Sequence, residues 1–405
     1  MVSVYLTPVY ILVNAYICSW LLKCLGTCHH IFNGRVSTAV VVAVYFFVAL
    51  SMGIGFLLPS GKVRRIICKV GNTWLGLSIF MVSSFLFVMA LRLIIKYTSL
   101  KKQTWVQSGY LTILAAAFVI AVSLTLYLYG AWNAKKIKCT QYEVTVHKSV
   151  EGISDLKVIL LADLHLGYNI GCDHMRNMVE LVNQEKADLV VIAGDFFDND
   201  FDALEDPKEL SEILRGIESR YGVYACYGNH DIQEKILAGF TFGTDNPDKM
   251  SDPRMDQFVK DCNITLLRDE YVLINDSFYL YGRPDKEKPG RGITQRAAAW
   301  EITEDMDKTK PIIVIDHEPK ELQELSDAGV DLDLCGHTHD GQIFPGNVII
   351  DYFWENACGY LQKGQMHNIV TSGVGVFGPD IRVGTKSEIC SIKVYFDGNN
   401  NLYME

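Results

Sequence analysis

The first Asp or Glu of this 405-residue chain is Glu143. The region before it holds four apolar runs, 4–26, 38–58, 74–95 and 109–131. Each is close to the roughly 20 residues that cross a hydrocarbon core. Buried helices of a soluble protein can be this apolar, but four in succession without a carboxylate point to four transmembrane helices. The first run lacks a basic leader and three more follow it, so it reads as a span and not as a cleaved signal peptide. With no carboxylate between the spans, nothing there binds a cation by charge or relays a proton on an acid, which disfavours a transporter. An anchor, able to present a lipid-like substrate, is the simpler reading. Tyr127, Tyr129 and Trp132 at the end of the last run read as an interfacial aromatic belt.

Basic residues mark the ends of the runs. Lys62, Arg64, Arg65 and Lys69 precede the third, and Lys135, Lys136 and Lys138 follow the fourth, making seven on one side. Lys23, Arg35, Arg92, Lys96, Lys101 and Lys102 make six on the other. The positive-inside rule therefore leans slightly towards a cytoplasmic second domain.

The rest of the chain is of opposite character. All 47 acidic residues lie there with 24 of the 37 basic ones, a formal charge of −23. Such a domain repels nucleic acid and anionic surfaces unless cations intervene, and bound divalent metals would be such cations. Nucleic acid is thus not an expected partner; a bilayer and a phosphorylated small molecule or lipid are. The 11 cysteines show no C-x-x-C spacing and leave an odd seven from Cys139 onward, which argues against a disulfide framework and against a zinc–cysteine site. The organisation read from these shifts is a transmembrane anchor at 1–132, a linker and first strand at 133–150, and a catalytic domain at 151–405.

In that last region short β-rich runs alternate with helical spacing. KVILLAD (157–163), DLVVIAGD (188–195), GVYACYGNHD (222–231), PIIVIDHEP (311–319) and VDLDLCGHTH (330–339) read as strands, and 174–184 and 206–219 as helices. The alternation predicts βαβ units and a sheet buried on both faces. Every polar cluster falls at the carboxyl end of a strand, where open α/β sheets place their sites.

Those ends carry Asp163 and His165, Gly194 and Asp195, Gly228 to Asp231, His317, and His337 with His339. Asp163, Asp195 and Asn229 offer oxygen; His165, His317, His337 and His339 offer nitrogen. The mixture suits Mn, Fe or Zn better than Ca or Mg. Seven donors are too many for one tetrahedral site and suit two divalent ions sharing a carboxylate. A metal pair brings the pKa of water towards neutrality, supplying an attacking hydroxide, and neutralises phosphoryl oxygens. His230, beside Asn229, is the natural proton donor to a leaving alkoxide. Flanking glycines let the backbone turn back towards the metals.

In this order the motifs D-x-H, G-D, G-N-H-D, H and G-H-x-H over about 151–395 resemble the calcineurin-like metallophosphoesterases. GHTHDGQIFPG and SGVGVFGPDIRVG are similar to the branch of membrane-associated bacterial phosphohydrolases, related in type to UDP-diacylglucosamine pyrophosphatases. The resemblance implies a two-sheet αββα sandwich and a phosphohydrolase of the bacterial cell membrane acting on a phosphomonoester, phosphodiester or pyrophosphate bond. It implies Asp163, His165 and His339 on one metal, Asn229, His317 and His337 on the other, and Asp195 bridging. His230 would be the acid, oriented by Asp231. Two positions depart from the branch: Asp340 replaces a usual Gly and Lys386 a usual Pro. Asp340 reads either as an acceptor that hydrogen-bonds a ligand histidine from behind or as a solvated turn acid. Arg283, with Arg382 and Arg291, is a candidate phosphate clamp. His29, His30, His147, His174 and His367 match no cluster and read as structural or surface residues.

Two rivals remain. A metallo-β-lactamase-like hydrolase needs H-x-H-x-D-H, but Asp340, Gly341 and Gln342 follow His339. A non-catalytic membrane receptor on a phosphoesterase fold would be favoured by a missing ligand, and all seven are present.

Overall fold

The amino-terminal runs fold as helices because their side chains need an apolar surrounding and their backbone groups pair internally. The computed structural model describes residues 2–98, 109–234, 236–237, 240–241, 251–290, 293 and 295–398. Lys101, Lys102 and Arg291 lie outside the described residues. Thr7–Cys28, Lys62–Lys96 and Tyr110–Lys135 are each long and apolar enough to cross a membrane. The expected second span is different. It is a pair of helices, Arg35–Ala49 and Ser51–Leu57, that meet at 60°. At the break, Tyr10 Oη donates to the Ala49 carbonyl at 2.6 Å and Ser51 Oγ to that of Val48 at 2.6 Å. Side-chain hydroxyls thus take up backbone acceptors where the helix is interrupted. Among the described residues there are therefore three unbroken candidate spans, or four if the bent pair counts as one. The basic group Lys62, Arg64, Arg65 and Lys69 is also not a loop: it opens the helix Lys62–Lys96.

Two compact units result. The first comprises 1–132, 236–243 and 378–381, and the second 133–235, 244–377 and 382–405. Within the first, small residues let helices close: a Cβ on Gly71 would lie 2.7 Å from the Met52 amide nitrogen. Tyr127 Oη donates to the Asp380 carboxylate at 2.9 Å.

The second unit holds two six-stranded mixed sheets. Its strands are β1 (Ile137–Val146), β2 (Asp155–Leu161), β3 (Leu189–Ala193), β4 (Val223–Cys226), β7 (Thr265–Leu266), β8 (Glu270–Ile274), β9 (Phe278–Arg283), β10 (Ile312–Asp316), β11 (Leu332–Cys335), β12 (Gly359–Lys363), β13 (Met366–Val370) and β14 (Ser387–Phe396), while β5 (Ile236–Leu237) and β6 (Phe240–Thr241) form a separate hairpin. One sheet runs β1-β14-β2-β3-β4-β7 and the other β12-β13-β11-β10-β9-β8. The period-2 alternation of strands sorts side chains into layers. Val158 and Leu160 of β2 point into the core shared by the sheets, facing Ile313 and Ile315 of β10. Their neighbours Ile159 and Leu161 pack under the helices Cys172–Glu185 and Pro207–Arg215. Ile312 and Val314 pack outward with Leu322 and Leu325 of the helix Leu322–Ala328. This is the αββα sandwich, with its central strands β3, β10 and β11 buried on both faces.

Candidate metal centre

The strand ends do what their order predicts. β2, β3 and β4 lie side by side in one sheet and β10 and β11 in the other, so their carboxyl ends bring five loops together. Asp163, His165, Asp195, His337 and His339 all have φ between 45° and 75°. A left-handed backbone at a non-glycine residue costs roughly 1–2 kcal/mol. Five such residues at one site turn their side chains inward at the expense of local backbone energy. Glycines allow the close approach: a Cβ on Gly336 would lie 2.8 Å from Asp163 Oδ2, and one on Gly228 would lie 2.8 Å from the His317 ring.

The donors gather in two neighbouring groups. In one, His165 Nε2 and His339 Nε2 are 3.0 Å apart, and His339 Nε2 is 3.7 Å from Asp163 Oδ1. In the other, Asn229 Oδ1 lies 3.0 Å from His317 Nε2 and 3.0 Å from His337 Nδ1. Asp195 reaches both, at 3.7 Å from His165 Nε2 and 3.1 Å from His317 Nε2. Asp163, His165 and His339 lie close enough to hold one ion, and so do Asp163, Asp195 and His317.

The donors fit cations better than they fit each other. Asp163, Asp195 and Asp231 are buried, and among the described residues none pairs with Lys or Arg. Burial pushes the Asp163 carboxyl up to about 7 and, with the charge of Asp195 beside it, Asp231 up to about 8. Burial presses His165 and His337 down to about 3, so both rings are neutral and offer lone pairs. His317 is the exception. Burial disfavours its charge, but the Asp195 carboxylate outweighs burial and holds the ring protonated. Its Nδ1–H donates to the Ala193 carbonyl at 2.8 Å. Its Nε2 is thereby turned towards Asp195, Asn229 and His337, at 3.1, 3.0 and 3.1 Å.

His230 sits at the rim of these groups. Its amide donates to Asp195 Oδ1 at 2.8 Å, and its ring lies 5.0 Å from that of His165 and 4.8 Å from that of Phe377. The expected orienting contact from Asp231 is not formed. Asp231 accepts instead from the amides of Asp195, Phe197 and Gly228, at 2.8, 3.0 and 2.8 Å, and so braces two ligand loops. The group at His230 Nδ1 is the side-chain oxygen of Asn199, with Asp198 Oδ1 4.0 Å away. Asp198 Oδ1 also lies 3.8 Å from His165 Nδ1. Sequence reading missed both residues, although they follow Asp195 directly in GDFFDND, an acid-rich turn after a strand end.

Of the three candidate phosphate clamps, the two among the described residues, Arg283 and Arg382, are interior residues. Arg283 is fully buried, with Nη1 at 2.9 Å from Asp316 and Nη2 on Glu321; Arg296 joins the same carboxylates. Its fork is thus committed to the acid preceding His317. Arg382, also fully buried, donates to the carbonyls of His339, Ser372 and Gly375 at 3.1, 2.5 and 2.8 Å. It also lies 3.4 Å from His339 Nδ1. Arg382 therefore occupies the place behind His339 that Asp340 would fill as an acceptor. The Asp340 amide donates to Thr338 Oγ1 at 3.2 Å, and burial pushes its carboxyl up to about 6. Lys386 braces the backbone nearby, with its Nζ 2.8 Å from Glu388, which accepts from the Ser372 amide at 3.0 Å. All 11 cysteines are free.

Residues 156–341 match the family model of the calcineurin-like phosphoesterases. The chain is similar to a transmembrane protein with metallophosphoesterase domain from Danio rerio, at 28% identity over 291 residues, 67% of this chain and 61% of that protein. An uncharacterized metallophosphoesterase of Campylobacter jejuni is 29% identical over 292 residues, 68% of this chain and 67% of that protein. Another, of Helicobacter pylori, is 28% identical over 246 residues, 59% of this chain and 60% of that protein. The match thus spans about 60–67% of the length of these relatives.

Proposed function

From a calcineurin-like phosphoesterase domain as the premise, we propose that this protein is a membrane-anchored, dinuclear-metal-dependent phosphohydrolase that cleaves a phosphomonoester, phosphodiester or pyrophosphate bond. The observation that carries the reading is the convergence of all seven nitrogen and oxygen donors from five strand ends. Asp163, His165 and His339 would hold one ion, Asn229, His317 and His337 the second, with Asp195 shared. The mixed donor set suits Mn, Fe or Zn. Two bound divalent ions would bring the pKa of water towards neutrality and neutralise phosphoryl oxygens.

The chain's own residues supply the rest. The Ala193 carbonyl fixes the His317 tautomer, so Nε2 faces the donors. Asn199 Oδ1 accepts from His230 Nδ1 and sets the ring's angle, which leaves Nε2 as the nitrogen that would carry a proton to the leaving oxygen. Asp231 keeps the Asp195 and Gly228 loops in register through three amide bonds.

The apolar helices serve as the anchor and bring the site to a lipid or envelope substrate. The seven basic residues Lys62, Arg64, Arg65, Lys69, Lys135, Lys136 and Lys138, against six on the other side, lean slightly towards a catalytic domain on the cytoplasmic face. Reactivity of Cys139 with an impermeant thiol reagent, in sealed cells of the native orientation, tests that side; labelling from outside refutes it. The function itself is tested with detergent-solubilised full chain, bis(p-nitrophenyl) phosphate and Mn²⁺. Turnover with close to two metals per chain is expected. A folded, loaded protein inert towards every phosphoester would instead be a receptor.

A further inference from the structure

The loop that carries His337 and His339 runs on through Ile343–Trp354, IFPGNVIIDYFW, where Asp351 is the sole charged residue. Two short helical turns form it, Gly346–Ile349 and Ile350–Tyr352. Both ends are tied down beside the site. The Phe344 amide donates to the Val383 carbonyl at 2.7 Å, next to Arg382. Trp354 sets its ring edge-on to His337, 5.2 Å between centroids, with Lys320 Nζ 5.2 Å from the indole centroid. Between these ends Phe344, Val348, Ile349, Tyr352 and Phe353 are all exposed, from 48% for Ile349 to 85% for Tyr352. The spacing 348, 349, 352, 353 puts four of them on one side of the turns. Single exposed apolar residues are ordinary. A contiguous group of five is the mark of a surface that meets something apolar.

We propose that Ile343–Trp354 is a bilayer-docking rim, which sets the candidate site at headgroup depth so that it takes the phosphate of a membrane lipid. Three observations select a bilayer as the occupant. The chain already carries helices apolar enough to lie in one. The segment mixes Tyr, Phe and Trp with aliphatic residues, the composition that settles at the membrane interface. The region from Glu143 onward carries a formal charge of −23, so two copies brought face to face repel, whereas apolar insertion needs no charge attraction. The inference rests on the membrane-anchored reading and extends it by naming the surface through which substrate arrives.

The test uses full-length protein reconstituted in vesicles of the zwitterionic lipids phosphatidylethanolamine and phosphatidylcholine, which present no like charge to the acidic domain. Tyr352, or in a second variant Phe353, is replaced by photoreactive benzoylphenylalanine, with the fully exposed Asp173 as the control position. Mass spectrometry after irradiation is expected to find lipid adducts at 352 and 353 at least about tenfold above those at 173. Equal yields at all three positions, or adducts chiefly to a second copy of the chain, overturn the proposal. The readout does not depend on turnover. A chain inert towards phosphoesters that still captures lipid through 352 would sink the enzymatic reading alone. An active chain that captures none would sink the docking rim alone.

Discussion

The two units turn opposite kinds of side chain outward. The first turns Leu12, Val36, Leu86 and Leu114 outward and closes its interior on Asn14, Ser51 and Ser123. There Asn14 Nδ2 donates to the Tyr10 carbonyl at 2.9 Å and Tyr45 Oη to Asn14 Oδ1 at 3.1 Å. The second has Leu156 and the run Val158–Ala162 wholly inside, and keeps its polar groups for the surface and the strand ends. One physical rule gives both arrangements: each exterior matches its surroundings. Where the surroundings are themselves apolar, burial of apolar area no longer drives helices together, and close packing of small and polar residues does so instead. The division of chemistry follows. The region before Glu143 offers no carboxylate to a cation, and the acid-rich region does.

Substitutions can break this contrast. The largest effect is expected from Asp195→Asn, which removes the carboxylate shared by both donor groups: phosphoester turnover should fall to background and metal content drop below two per chain by elemental analysis. His230→Ala should lower turnover by about 10²–10⁴-fold while metal content stays near two; loss of metal in that variant would remove His230 from the acid role. Leu160→Ala, in the core between the sheets, should cost the second unit about 2–5 kcal/mol, read by denaturant titration, with membrane integration intact. Leu86→Asp sharpens the other side of the comparison. On a lipid-facing surface a charge at mid-helix costs about 2.5–3.5 kcal/mol of insertion, seen as a shift of protein from membrane to carbonate-soluble fractions. No shift would mean that this face meets water. Tyr127→Phe, which deletes the bond to Asp380, should cost only roughly 1.5 kcal/mol.

How legible each region was in the sequence follows from the range of the forces involved. Asp163, Asp195, Asn229, His317 and the two histidines of GHTH could be placed because a strand end is local: an apolar run stops and a polar group follows. The same alternation predicted βαβ units and a buried sheet, while the two-sheet sandwich was implied by the resemblance that the motif order carries. The bend at Leu50 could not be read, since it depends on Tyr10, 40 positions away along the chain, capping the Ala49 carbonyl. Arg283 and Arg382 looked like clamps because a guanidinium in a Gly-rich loop usually faces water. Their burial depends on Asp316 and Glu321 for one and on the Ser372–Gly375 carbonyls for the other, all contributed by other parts of the chain. Asn199 was within reach of reading, but an amide in an acidic turn carries no sign that a histidine 31 residues later will lean on it.

The left-handed backbone at Asp163, His165, Asp195, His337 and His339 bears on how long the molecule survives as well as on what it does. Without cations these loops hold like charges and tense dihedrals together with nothing to reward the arrangement, so they are the first place the domain should open. A bound ion favours only the closed form and raises its melting temperature in proportion to its affinity. Chelated protein should therefore melt below the Mn²⁺-loaded form and be clipped by protease first in the loops after β3 and β11. Metal supply would then govern the lifetime of the chain in the cell as directly as its turnover.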